Sequence, residues 1–96
     1  MEFEWDDAKR DSNIEKHGID FVAAKDIFLG FTISIETSHG HVGERRFIAI
    51  GMLNASPVVV VFTERGDVRR LISARRARDY EKRLYNKAIQ AWGSHR

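Results

Sequence analysis

The chain reads as one α+β domain: an antiparallel four-stranded meander with a short N-terminal strand, two N-terminal helices and a C-terminal helix. Three observations predict it. Helix caps and stops frame residues 7–30, and a further helical stretch follows residue 76. Between them the apolar residues recur at a spacing of two, broken by hairpin-length turns. Ninety-six residues leave room for one core and no second domain. Residues 1–92 are expected to form this domain and residues 93–96 a flexible tail.

Glu2 to Trp5 alternates polar and apolar and predicts a short strand. Asp6 can cap a helix from Asp7 to about His17, with Gly18 as its stop. Asp7 suits the positive end of the helix dipole, and Lys16-His17 the negative end. Asp20 is the expected cap of a second helix, in which Phe21, Ala24, Ile27 and Phe28 have the three-and-four spacing of a buried face, ended by Gly30. From Phe31 the period changes to two. Phe31, Ile33 and Ile35 alternate with Thr32, Ser34 and Glu36 as a half-buried strand, and residues 38–43 form a loop. Arg46 to Leu53 is the next strand, followed by a turn at Asn54-Ala55-Ser56-Pro57. Val58 to Phe62 is apolar on both faces and predicts a central strand. Arg65-Gly66-Asp67 turns the chain into a last strand, Val68 to Ser73. A final helix from Arg76 to about Ala91 carries Ala77, Tyr80, Leu84, Ala88 and Trp92 as its buried stripe. The helices are expected to cover the inner face of the sheet.

Composition narrows the chemistry. There is no cysteine, so neither a disulfide nor a thiolate metal site can form, which fits a reducing cytoplasm. The acidic N-terminus lacks a signal-peptide pattern, and the apolar run Pro57 to Phe62 is too short to cross a bilayer, so no membrane partner is expected. The net charge of +2 conceals a gradient: residues 1–40 sum to −5, residues 41–67 to 0 and residues 68–96 to +7. A basic C-terminal third suits a polyanion, an acidic protein partner, or the acidic third of the same fold.

Four motifs occur in order: Trp5-Asp6-x-x-Lys9-x-x-x-Asn13-x-x-Lys16-His17-Gly18, then Gly43-Glu44-Arg45-Arg46-Phe47, Thr63-Glu64-Arg65-Gly66-Asp67, and Ile72-Ser73-Ala74-Arg75. Together, from Phe3 to about Tyr85, they resemble the BrnT family, small ribonuclease toxins of bacterial toxin–antitoxin pairs. The resemblance implies a RelE-like fold with a curved sheet packed on helices. It implies a metal-independent endoribonuclease, without cofactor, that stops translation. It also implies a cognate ribbon-helix-helix antitoxin (BrnA-like) in a heterotetramer, with operator DNA bound only through that antitoxin.

Cleaving a phosphodiester without a metal requires a base for the 2′-hydroxyl, a cation at the phosphoryl oxygens and an acid for the leaving 5′-oxygen. His17 can serve either proton role, and the Lys-His-Gly resemblance supports it; the plain alternative is a C-terminal helix cap. Lys9 and Lys16, two turns apart, share a helix face that could follow a phosphate backbone or simply be solvated. Trp5 could stack on a base, but an isolated Trp beside an alternating strand packs inward. Arg75 offers a planar fork for two phosphate oxygens, or an ion pair with Glu64 or Asp79. Ser73, two residues earlier, faces the same way and could donate to the same phosphate. Glu64 could act as base or hold an arginine, beside Arg65; both could equally be turn charges. Arg45 could join a basic groove, whereas Arg46 reads as a solvent-facing strand charge. Tyr80 falls in the apolar stripe and reads as core; Tyr85 is the candidate base-stacking ring. The catalytic candidates are therefore His17, Glu64, Arg65 and Arg75, and the substrate-binding ones Lys9, Lys16, Arg45, Ser73 and Tyr85. His39 and His41 lack a nearby third ligand, so no metal site is expected. The competing reading is a non-catalytic basic module that binds an acidic partner or RNA.

Overall fold

Asp6 starts the first helix as the sequence predicts. Its carboxylate accepts from the backbone N–H of Ala8 (2.8 Å) and Lys9 (3.2 Å), turning the chain from strand β1 (Glu2–Glu4) into helix α1 (Asp7–His17). Gly18 ends α1 in the left-handed region (φ 68°) and donates its N–H to the Ile14 carbonyl at 2.8 Å. Asp20 caps the next helix through Val22 N–H and also holds Arg10 by two 2.8 Å bonds. That next helix is not continuous to Gly30. It is a short α2 (Phe21–Ala24) followed by a 3-10 segment (Lys25–Leu29). The segment lies close against the sheet at Gly51, where a Cβ would stand 2.9 Å from both Ile27 Cβ and Thr32 Cγ2.

The computed structural model describes residues 1–37 and 44–93. Its sheet contains β2 (Ile33–Thr37), β3 (Arg46–Leu53), β4 (Ser56–Arg65) and β5 (Val68–Arg76) as the expected antiparallel meander. The β3–β4 and β4–β5 turns are two residues each; Asn54 and Ala55 both take positive φ, 50° and 66°, as a hairpin of this hand requires. β1 is part of the same sheet, parallel to β5, giving five strands in the order β1-β5-β4-β3-β2. β5 also runs beyond Ser73, because Arg75 and Arg76 still find partners in Val59 and Val58. The last helix, α3, therefore spans Asp79–Gly93 instead of starting at Arg76.

The helices divide between the two faces. On the first, α1, α2 and the 3-10 segment bury Ile19, Phe21, Ala24 and Ile27 against Ala49, Val58, Val60, Phe62, Leu71 and Ala74. Trp5 packs there too, edge-on to Phe21 at 6.0 Å. On the second face, α3 places Tyr85 against Ile50 and Val59, with Phe31, Ile33 and Ile48 around them. The buried side of α3 is rotated from the expected stripe: Glu81 and Tyr85 are inside, while Tyr80 and Leu84 are 50% and 43% exposed. Two polar anchors fix that rotation. Tyr85 donates its hydroxyl to the Phe31 carbonyl (2.8 Å), and Glu81 binds Arg75.

β1 stops pairing at Arg70, so the outer edge of β5 beyond it has no strand neighbour. Asn13 takes that place. Its buried carboxamide accepts from Ala74 N–H (3.0 Å) and donates to the Ala74 and Ile19 carbonyls (both 2.9 Å). Asn13→Ala would strand these buried groups, at a cost of about 3 kcal/mol. The urea midpoint is expected to fall with an unchanged m-value. A midpoint equal to the wild type would mean that water replaces the carboxamide.

Candidate functional site

β5 carries a bulge that shapes the second face. Val61 lies opposite Ser73 but Phe62 lies opposite Leu71, so Ile72 is an extra residue on β5. Directly opposed residues share a face. Val59–Arg75, Val61–Ser73 and Thr63–Arg70 pairs consequently all project to the second face, while Leu71 and Ala74 stay in the core of the first. Arg75 and Ser73 face the same way, in agreement with the sequence reading.

α1 lies along the outer edge of β5, and the two elements enclose a cleft of about 220 Å³. Lys9, Ser12, Asn13, Lys16 and His17 line it from the helix, Ile72 and Ser73 from the bulge. Four of the candidates thus come together: Lys9, Lys16, His17 and Ser73. Lys9, Asn13 and His17 succeed one another at intervals of four and so form one helix face. Both lysines and His17 remain exposed, which leaves two cations and an imidazole at one opening. His17 also stands in the last turn of α1, where the helix dipole favours a cation.

Arg75 is committed elsewhere in part. It does not pair with Glu64 or Asp79. Its two Nη atoms donate to the Glu81 carboxylate at 2.7 and 2.8 Å, and Nη1 also reaches the Arg76 carbonyl at 3.3 Å. These bonds use three of its five N–H groups. Glu81 is 1% exposed and also accepts from Arg78 N–H at 2.8 Å, which caps the start of α3. The hydrogen bond from Arg75, followed by the Arg78 N–H and then the charges of both arginines, holds the Glu81 carboxyl below its ordinary value despite burial; Arg75 is raised in turn.

The remaining candidates lie apart from this cleft. Arg45, Glu64 and Arg65 line another, of about 430 Å³, with Glu44 and Phe47. Arg45 is held by Glu36 at 2.7 and 2.8 Å, and Arg65 stands 3.9 Å from Glu44. Glu64 alternates with Thr63 and points to the first face, away from Ser73. The four catalytic candidates therefore do not share one cleft. Tyr85 is 4% exposed and hydrogen-bonded, so its ring offers no surface for a base; the exposed tyrosine is Tyr80, which was expected in the core. His39, His41 and His95 fall outside the described residues, among which no cluster fit to hold a metal occurs. No helix among the described residues is long and apolar enough to cross a membrane. Sequence reasoning missed Ser12 as a lining residue and Asn13 as its support. The signal for Asn13 was its place four residues from both Lys9 and His17.

The model of a protein family described as the ribonuclease toxin BrnT of type II toxin–antitoxin systems matches residues 5–81. No curated protein matches the chain. The matched stretch includes α1, the bulge, Arg75 and Glu81, and stops early in α3.

Asp20, Glu36 and Glu81 have carboxyls depressed in the fold, the exposed Glu36 through its hydrogen bond from Arg45. Asp20 is lowered to about 2 by the Arg10 hydrogen bond and Val22 N–H; Glu81 is lowered by Arg75. A depressed carboxyl contributes stability that is complete above its unfolded value, here near 3.8 and 4.5, and lost as pH falls through the folded value. Glu81→Gln is expected to be less stable than the wild type at pH 7 by roughly 2 kcal/mol. The gap in melting temperature should narrow between pH 5 and pH 2 as the wild-type carboxyl protonates. A gap of equal size at both ends would show that the charge of Glu81 is not what stabilises.

Proposed function

The chain belongs to the BrnT family of ribonuclease toxins of type II toxin–antitoxin systems, and from that premise we propose that it is a metal-independent endoribonuclease acting at the cleft between α1 and β5. One observation carries the assignment to this cleft: Lys9, Lys16, His17 and Ser73 line the same opening. In this reading the 2′-oxygen of a nucleotide attacks its own 3′-phosphorus, the 2′-proton leaves to a base, and the bond to the 5′-oxygen breaks as an acid supplies a proton. His17 performs a proton transfer, since an imidazole both gives and takes a proton near neutral pH. Lys9 and Lys16 balance the charge that develops on the phosphoryl oxygens. Ser73 donates its hydroxyl to the same phosphate, and the two N–H groups that Arg75 spends on neither Glu81 nor the Arg76 carbonyl do likewise. Glu64, Arg65 and Arg45 serve a neighbouring stretch of RNA rather than the scissile bond.

The biological setting follows the family. The protein acts in the cytoplasm, where cutting RNA halts translation. A ribbon-helix-helix antitoxin of the BrnA type neutralises it in a heterotetramer, and that complex represses their shared promoter, the antitoxin alone touching DNA. The basic C-terminal third suits an acidic segment of such a partner as well as RNA.

The test is cleavage of a labelled RNA in EDTA by the wild type, His17→Ala and Arg75→Lys. Arg75→Ala is a poor choice, because it strands the buried Glu81 carboxylate and confuses activity with stability. His17→Ala is expected to cut at least about 100-fold more slowly with its melting temperature unchanged. Arg75→Lys, which keeps the charge and loses the fork, is expected to be about tenfold slower. Wild-type rates in His17→Ala would remove His17 from the chemistry. RNA bound but left intact by the wild type would favour a non-catalytic module.

A further inference from the structure

The cleft between α1 and β5 is small. At about 220 Å³ it falls below the roughly 300 Å³ at which pockets begin to enclose an organic ligand. Its cations suit a phosphate and its sugar, but a nucleobase must lie elsewhere. A second cleft, of about 470 Å³, begins where the first ends: His17 lines the one and Gly18 the other. Asn13 links them, since it lines the first and donates to the carbonyl of Ile19, which lines the second. On β5, Ser73 belongs to the first and Arg76 to the second, about 10 Å further along the strand. Neighbouring nucleotides span that distance.

The second cleft is built differently. Half-buried Ala23 and Leu53 give it apolar walls, against which a flat ring can pack. Two opposite charges also line it without engaging each other. Arg76 lies opposite Val58, which turns it to the first face, away from Arg75. It is exposed and joins no ion pair among the described residues, so its planar fork of donors is open. Asp20 engages Arg10 instead. That hydrogen bond and the Val22 N–H lower its carboxyl to about 2, so it is an acceptor alone at neutral pH. Oδ1 accepts from Arg10 and Val22, whereas Oδ2 accepts from Arg10 only and keeps a lone pair for a further donor.

An open donor fork and an open carboxylate oxygen between apolar walls select among the bases. Guanine offers an arginine two adjacent acceptors, O6 and N7. Its neighbouring edge carries donors, N1–H and the 2-amino group, which a carboxylate accepts. Adenine sets an amino donor beside N7, and pyrimidines have no N7. We propose that the second cleft is a base pocket that takes a guanine beside the phosphate cut at the α1–β5 cleft, with Arg76 on O6 and N7 and Asp20 on the donor edge. This rests on the ribonuclease reading. Arg76 and Asp20 choose the sequence and transfer no proton.

The experiment measures binding of short 2′-O-methyl oligouridines, which lack the attacking hydroxyl, with one central residue changed to G, A or C. The full chain is compared with Arg76→Gln and Arg76→Lys. The Arg76 side chain is exposed, so neither variant is expected to lose stability. The wild type is expected to bind the G-containing strand about tenfold more tightly than the others. Both variants are expected to lose that preference, because lysine keeps the charge without the fork. Replacing N7 of the guanine by C–H should weaken wild-type binding several-fold and leave Arg76→Gln unmoved. Equal affinity of the wild type for all four strands would overturn the proposal and leave the ribonuclease reading intact. So would a guanine preference that survives in Arg76→Gln, or an equal loss for every strand in that variant, which would make Arg76 a phosphate contact only. Failure of the wild type to bind any strand would sink both readings.

Discussion

The docking of one carboxamide decides where this molecule has its cleft. β1 is three residues long, so β5 presents unpaired backbone beyond Arg70 on its outer edge. Such an edge would template a foreign strand or lose hydrogen bonds in a buried setting. Asn13 supplies both a donor and an acceptor to Ala74, as a neighbouring strand would, and ties the loop after α1 through Ile19. The residues four positions to either side of it are Lys9 and His17. The interaction that closes the sheet edge is thus the same one that carries Lys9 and His17 up to Ser73.

The helical half of this arrangement was legible. Asp6, Gly18 and Asp20 announced their roles through side-chain chemistry that acts within a few residues, and each does what its type suggests. The strand half was less so. Arg70 and Arg75 are five apart, an odd spacing that puts two residues on opposite faces of a regular strand. Leu71 and Ala74, three apart, should also be on opposite faces, yet both lie in one core cluster. The bulge at Ile72 reverses the alternation between them. Nothing local in Leu71-Ile72-Ser73 marks it: there is no glycine, and all three residues suit an ordinary strand. It is fixed by the need to keep both Leu71 and Ala74 inside, which only the paired sheet reveals.

The misreading of α3 has a related origin. Period alone chose Tyr80 and Leu84 for the interior because a glutamate reads as a surface residue. Glu81 instead lies buried, since Arg75 arrives from β5 with two donors and Arg78 adds a backbone N–H. Once Glu81 faces the sheet, Tyr85 follows four residues later, and Tyr80 and Leu84 turn to solvent. The apolar pattern of α3 therefore describes which residues could be buried, and a single ion pair to the preceding strand selects among them. The same pair moderates Arg75. A guanidinium facing a buried carboxylate is well oriented and close to neutral as a unit, so it serves geometry more than attraction.

That distinction bears on what the charge gradient is for. The acidic first third and the basic last third could in principle have cancelled each other inside the fold. Among the described residues only the Glu4–Arg70 pair joins them; Arg10–Asp20 and Lys25–Asp26 lie within the acidic third, Arg75–Glu81 and Lys82–Asp79 within the basic one. Each third largely satisfies itself with its own minority charge. In the acidic third this leaves Lys9 and Lys16 outside every ion pair among the described residues, on the face of α1 that borders the cleft. The cations there are few in number but unspent, in a part of the sequence whose net charge is negative. A polyanion approaching the whole molecule is drawn to the basic third, and one reaching the α1 edge finds cations that no carboxylate has already engaged. The net charge of a segment is a poor guide to where a phosphate will sit; which charges remain unpaired on a common face is a better one.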